Sequence, residues 1–399
     1  MRPRLVIDVG KIERNARTVV GLCAERGVQV CGVTKGVCGD SQIAAAFVRG
    51  GVTSIGDSRL DDLAKLESLT ARPDGSPLFK VLLRAPTPDE ADDVVRLADV
   101  SVNTDLDTIA ALEEAAARAS DRGSAPAPPA AAEPPAPAEP PATAESPAPA
   151  AAAPPAAPRA HGVLLMADLG DLREGFTDDA ELLAAARLVA ESPHLRLHGI
   201  GANLNCLSFI LPDRDKMASL ASLAGRIVGE LGADGLCVSG GNSSTLRLML
   251  DEGLPPAVTE LRLGESLLLG RERATYGYLP GTENDAFVFE AAIVEVKDKP
   301  SLPWGTSGPD SFGRYHYFDD RGVRTRAICA FGHQDTEAEV MWPLDEGVEI
   351  VDSSSDHTVL DLTDSARAWR PGDVVRFRCG YHAIDRAFTS PYVEKVFAG

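Results

Sequence analysis

The 399-residue sequence predicts an α/β protein: a (β/α)8 barrel over residues 9–275, then a small all-β domain over residues 276–399, with residues 4–8 as an added strand. Short apolar strands alternate with amphipathic helices through the first two thirds of the chain. After residue 275 helical periodicity gives way to alternating apolar runs separated by Gly, Pro and Asp turns. A third observation points to the chemistry. Residues 28–33 (VQVCGV) read as a buried parallel strand that runs out at Thr34 and Lys35.

The elements follow in order. Leu5 to Asp8 is a strand, and Lys11 to Arg26 is a helix with Ile12, Ala16, Val19, Val20 and Cys23 on one face. After the lysine strand come a helix from Gln42 to Gly50 and a strand from Ser54 to Asp57. The pattern repeats as helix Arg59 to Leu69, strand Leu78 to Arg84, helix Asp89 to Leu97, strand Val100 to Asn103 and helix Leu106 to Arg118. Residues 124–160 interrupt it with 13 prolines, much alanine and no periodicity. Such a tract cannot bury enough surface to offset its ordering entropy, so it predicts a disordered insertion. The alternation resumes in the same style, which places the insertion inside the barrel, on a bottom-face loop away from the chemistry.

Beyond it come strand His161 to Ala167, helix Asp179 to Ala190, strand Leu197 to Gly201 and helix Lys216 to Leu231. Strand Leu236 to Ser239, a helix start at Thr245 to Leu250, and strand Glu260 to Gly264 complete eight strands counted from the lysine strand. The all-β region offers strands at Phe287 to Val296, Val323 to Ala330, Val348 to Val351, Thr358 to Leu362, Val374 to Arg378 and Val393 to Phe397.

A formal charge of −20 argues against nucleic acid or an anionic membrane as partner. No apolar run has spanning length, and the first residues lack the apolar core of a signal peptide, so a cytoplasmic protein is expected. The seven cysteines form no C-x-x-C pair and no zinc-finger spacing, which suggests reduced thiols and no metal site. His194 and His198 flank an apolar strand and read as structural.

Barrel enzymes do their chemistry at the C-terminal ends of the strands. A lysine there either snorkels to solvent or, partly desolvated, forms a Schiff base. Three neighbours weigh on the choice. Ser239–Ser244 (SGGNSS) supplies N–H groups and hydroxyls, either an anion cradle or a plain helix cap. Gly264 and Glu265 follow the last strand, where barrels commonly hold phosphate, and Arg173 and Arg262 stand at strand mouths. Together these groups fit pyridoxal phosphate (PLP).

The motifs Thr34–Asp40 (TKGVCGD), Asp168–Gly175 (DLGDLREG), Ser239–Ser244 and Leu261–Gly270 (LRLGESLLLG) resemble those of the alanine/ornithine racemase family. Residues 285–299, 319–327 and 353–357 resemble the C-terminal domain of its ornithine-racemase branch. The resemblance covers nearly everything except the Pro/Ala tract. It implies a PLP-dependent amino-acid racemase with a barrel of alanine-racemase type, acting on ornithine or another basic amino acid as a homodimer. Lys35 would be the Schiff-base lysine and one proton-transfer base. Arg173 would bond the cofactor's phenolic oxygen, and Ser243, Ser244, Gly264 and Glu265 its phosphate. Arg262 would face the pyridine nitrogen, with Asn203 and Tyr381 also against the cofactor.

Decarboxylases of this barrel carry a glutamate where Arg262 stands, which disfavours that alternative. Non-catalytic PLP carriers are single barrels, which disfavours a homeostasis role. Two positions depart from the family. Cys38 replaces a phosphate-binding tyrosine, and Phe312 in residues 310–316 (DSFGRYH) replaces the tyrosine that serves as second base. Tyr315, His316, Asp356 and His357 are the candidates for that base, with Asp356 and His357 favoured as an active-site pair. Asp168, Asp171, Glu174, Glu265 and Asp356 are carboxylates able to hold a side-chain ammonium.

Overall fold

The computed structural model describes residues 2–124, 160–233, 235–309, 313, 315 and 317–398. The predicted insertion, apart from its two end residues, lies outside the described residues, as do Phe312 and His316.

The chain opens with strand β1 (Arg4–Asp8) and helix α1 (Val9–Ala24). Asp8 ends one and starts the other: its carboxylate accepts from the Lys11 N–H at 2.9 Å, satisfying one of the free donors at the helix start. Eight strand–helix units follow. They are β2 (Gln29–Val33) and α2 (Ser41–Arg49), β3 (Ser54–Asp57) and α3 (Leu60–Ala64), β4 (Phe79–Leu82) and α4 (Ala91–Leu97), and β5 (Val100–Asn103) and α5 (Leu106–Ser124). Then come β6 (His161–Met166) and α6 (Asp179–Glu191), β7 (Leu195–Gly201) and α7 (Arg214–Leu231), β8 (Cys237–Ser239) and α8 (Thr245–Asp251), and β9 (Glu260–Leu263) and α9 (Glu265–Leu269).

Strands β2 to β9 close into a parallel barrel, sealed where Gln29–Gly32 of β2 runs beside Glu260–Leu263 of β9. Apolar side chains fill its interior, among them Cys31, Val81, Val100, Val102, Leu164 and Met166. The predicted helix over 59–69 is shorter than expected: α3 stops at Ala64 and turns carry the chain on.

The second domain comprises β10 (Phe287–Pro300), β11 (Val323–Cys329), β12 (Met341–Pro343), β13 (Glu349–Ser353), β14 (Thr358–Asp361), β15 (Val374–Cys379), helix α10 (Tyr381–Thr389) and β16 (Glu394–Ala398). Its strand order is β12-β15-β10-β11-β14-β13. Strand β1 joins this sheet, antiparallel to β10 and parallel to β16, as expected of an added strand. Phe289, Phe331 and Phe377 pack ring against ring at 5.0 and 5.4 Å, in one core with Ile12 and Ala16 of α1. Helix α10 was not anticipated. It packs on the single 3-10 turn Lys35–Val37 that follows β2.

No helix among the described residues is long and apolar enough to cross a membrane. All seven cysteines are free. His194 bonds Glu113 at 2.7 Å, in keeping with a structural role. His161, buried at the start of β6, shares a 2.8 Å hydrogen bond with Ser101, and burial lowers its pKa from 6.5 to about 4. Below pH 6.5 the unfolded chain takes up a proton that the folded chain refuses. His161 therefore costs stability as pH falls from 6.5 towards about 4, by about 1.4 kcal/mol per pH unit. Urea midpoints should fall between pH 7 and 5, and His161→Gln should flatten part of that slope.

Candidate active site

The lysine turn is built by two strands. Thr34 donates its N–H to the Gly56 carbonyl at 3.0 Å and its hydroxyl to Asp57 Oδ2 at 2.7 Å, tying the end of β2 to the end of β3. Asp57 is fully buried, and burial lifts its pKa from 3.8 to about 6 against the pull of Thr34 and two backbone N–H groups. Cys38 and Gly39 both take left-handed backbone, turning the chain into α2. A side chain at Gly36 would stand 2.6 Å from the Tyr381 hydroxyl, so α10 approaches the turn as closely as glycine permits. Lys35 is left exposed into the barrel mouth.

On the adjacent strand β9, Arg262 pairs in register with Cys31 of β2 and is 6% exposed. Its guanidinium donates to Ser239 Oγ and, at 2.7 Å, to the Ala202 carbonyl. Ser239 in turn donates to Glu260 at 2.8 Å, so a half-buried carboxylate stands behind the arginine. Burial raises the Glu260 pKa, and Arg262 opposes the shift. Gly201 makes room, since a Cβ there would lie 2.9 Å from the Arg262 Nη1.

The third wall is the turn after β8. Ser243 Oγ lies 3.2 Å from Ser266 Oγ and accepts the Ser266 N–H at 3.3 Å. Asn242 donates to the Asn203 side chain at 2.9 Å and to the Leu204 carbonyl at 2.8 Å, joining the loops after β7 and β8. Glu265, 7% exposed, is held by Arg271 at 2.7 Å with Arg273 at 3.8 Å.

These walls enclose a cavity of about 480 Å³ at the C-terminal mouth of the barrel. Lys35, Arg173, Asn203, Ser243, Arg262, Gly264, Glu265 and Tyr381 all line it, so most residues singled out in the sequence converge there. Ser244, next in sequence to Ser243, does not line it, and its hydroxyl is buried with no partner. Arg173 pairs with its neighbour Glu174, which also faces the cavity. Burial pushes the Tyr381 phenol up, and Asp385 adds its charge from the next turn of α10.

Asp356 and His357 do not join this set. They bond each other at 2.8 Å on the exposed tight turn between β13 and β14 and line no part of the cavity. Tyr315 is 65% exposed and also outside it. Several cavity residues do not follow from the sequence, among them Ser58, Arg84, Cys206, Asn242 and Arg273. Arg84 stands at a strand mouth and carried the same signal as Arg173, whereas Asn242 sat unremarked inside a noted motif. Arg273 and Cys206 lie on loops whose approach only the fold reveals.

The cavity's charge is opposite to that of the chain. Lys35, Arg84, Arg173, Arg262 and Arg273 face two carboxylates, Glu174 and Glu265, in a protein of net charge −20. An amine and four guanidiniums in a confined space favour an anionic ligand.

Comparison with known proteins agrees with this architecture. The alanine racemase N-terminal domain family matches residues 138–272. Ornithine racemase of Acetoanaerobium sticklandii is 36% identical over 395 residues, covering 99% of each chain. Lysine racemase of Thermotoga maritima is 33% identical, covering 99% of this chain and 98% of its own. Among solved structures, alanine racemase from Streptomyces coelicolor superposes with a TM-score of 0.66 at 17% identity, covering 100% of this chain and 98% of that one. Alanine racemase from Bartonella henselae, with covalently bound pyridoxal phosphate, gives 0.65 at 15% identity over the whole of both chains. The two structures share the fold, and the two closer relatives share the sequence almost end to end: the chain belongs to the alanine/ornithine racemase family and is an enzyme of the racemase type.

Proposed function

We propose that this racemase uses PLP to interconvert the L- and D-forms of a basic amino acid, ornithine or lysine. The observation that carries the reading is the lysine amine set among fixed cations in one cavity of an acidic chain. The names of the two close relatives support the substrate class. The residues fit the cofactor on a local test. Ser244 Oγ is a buried hydroxyl without a partner, and the adjacent Ser243 lines the cavity, so the turn has a donor to spare for a phosphate oxygen.

On this reading Lys35 is the covalent anchor and the base on one face of the substrate. Ser243, Ser244 and the backbone at Gly264 and Glu265 hold the phosphate, with Asn203 and Tyr381 beside the cofactor. Arg173 would hold its phenolic oxygen and Arg262 its ring nitrogen. Bound PLP supplies the electron sink that makes the Cα proton removable. Lys35 takes that proton or returns it. A guanidinium, with its pKa above about 12, does not surrender a proton. Placed at the ring nitrogen of such a cofactor, Arg262 would offer it no proton to gain and would hold the donor position there. The opposite face is assigned to the β-domain of a second copy in a head-to-tail homodimer, where Asp356 and His357 stand exposed. Tyr315 is the next candidate on that domain.

The test is incubation of purified protein with PLP and L-ornithine, L-lysine or L-alanine in D2O. Deuterium at Cα is followed by NMR and the enantiomers by chiral chromatography. Exchange and racemisation of ornithine or lysine well ahead of alanine is expected. Release of CO2 in place of exchange would replace the racemase with a decarboxylase.

A further inference from the structure

We infer that Glu174 is the specificity-determining carboxylate that receives the side-chain ammonium of the substrate. The inference rests on the proposed preference for basic amino acids. A substrate with a second ammonium needs a carboxylate in the cavity that is free to pair with it, because an unpaired buried cation is costly.

The structure separates the five acidic candidates. Asp171 is 1% exposed and saturated, accepting backbone N–H groups of Cys206, Leu207 and Ser208 at 3.0–3.3 Å. Asp168 is used within its own loop, accepting from Gly170 at 2.8 Å and Leu172 at 3.1 Å. Glu265 is buried against Arg271 and Arg273. Asp356 lies outside the cavity. Glu174 alone of the five lines the cavity without being held by a distant part of the fold: its partner is the adjacent Arg173, and its side chain is 23% exposed.

The loop that carries it is preformed. Gly170, Leu172 and Gly175 take left-handed backbone, and a Cβ at Gly175 would lie 2.6 Å from the Asp168 nitrogen. Phe176 closes the loop, its N–H donating to the Met166 carbonyl at 2.8 Å. Asp171 anchors the middle of the loop to residues 206–208. Glu174 is thus presented to the cavity at little entropic cost.

The Arg173–Glu174 pair also explains how the cavity keeps its charge balanced. With Arg173 turned to an anion and Glu174 to the ammonium, one internal pair is exchanged for two pairs with ligand. No charge is stranded at either stage.

The test compares L-ornithine with L-norvaline, which has the same carbon chain and no side-chain amine. In Glu174→Gln, kcat/KM for ornithine should fall about 10- to 100-fold, the worth of a hydrogen bond between charged groups. The loss should lie mainly in KM, with norvaline changed less than about threefold. Glu174→Asp should recover part of the ornithine binding, and calorimetric titration of the loaded protein should show the same ordering. Equal losses on both substrates, or an unchanged ornithine KM, would overturn the inference while leaving the racemase reading intact. A wild-type enzyme that racemises neutral amino acids and neither ornithine nor lysine would overturn both.

Discussion

Lys35→Ala is expected to abolish racemisation, with activity reduced by at least about 10³-fold, as loss of a covalent anchor that is also a proton-transfer base requires. Stability should hardly change. Lys35 is exposed in the cavity mouth, and surface truncations usually stay within about 0.5 kcal/mol. The variant therefore separates chemistry from folding. Wild-type protein with PLP should show the visible absorbance of a lysine-bound cofactor, and borohydride should fix that mass on the tryptic peptide containing Lys35. Lys35→Ala should show neither, with an unchanged urea midpoint. Racemisation surviving in the variant would remove Lys35 from its proposed role and with it the assignment of the cavity.

Arg262→Gln is expected to lower kcat by about 10²–10³-fold, the usual cost of removing one preorganised charged donor from a closed site. The guanidinium is held by Ser239 and the Ala202 carbonyl, so it meets its ligand with little reorganisation. Glutamine keeps one amide donor for one of these acceptors and loses the charge. Glu260 then loses the cation that opposes its upward pKa shift, and it should take up a proton at a higher pH than in the wild type. The fold survives because a protonated Glu260 needs no counter-charge. Steady-state kinetics from pH 6 to 9 and an infrared carboxyl band for Glu260 would check both halves. A kcat within tenfold of wild type would mean that Arg262 is structural.

The barrel was legible because each strand is a short apolar run bounded by turn residues, and burial on both faces leaves no other use for VQVCGV or VSVN. Helix α10 was not. Its inward residues Ala383, Ile384 and Ala387 keep helical spacing, but the run is nine residues long and lies between two strands. Strand β12 is three residues long and ends in a proline, which gives a period of two nothing to repeat over. Lys35, Arg173, Ser243 and Arg262 were found because each stands at a strand end, the one place where sequence position implies a direction in space. Asp57 stood at such an end too, but its meaning depends on Thr34, twenty-three residues away, whose hydroxyl it receives. Glu174 was one acid among five, and only the partners of the other four set it apart.

The pairing of β1 with β16 has a consequence for how this protein is made. Strand β1 is synthesised before the barrel, yet both of its neighbours, β10 and β16, follow the barrel in the chain. At roughly 5–20 residues per second, its Leu5 and Ile7 wait on the order of tens of seconds for a sheet to enter. The barrel between them has every neighbour it needs earlier, since each of its strands pairs with the next and the seal of β2 on β9 precedes β10. The second domain is therefore stitched shut by strands from either side of the barrel in sequence, in a late step that gathers up a strand left hanging while the whole barrel is made.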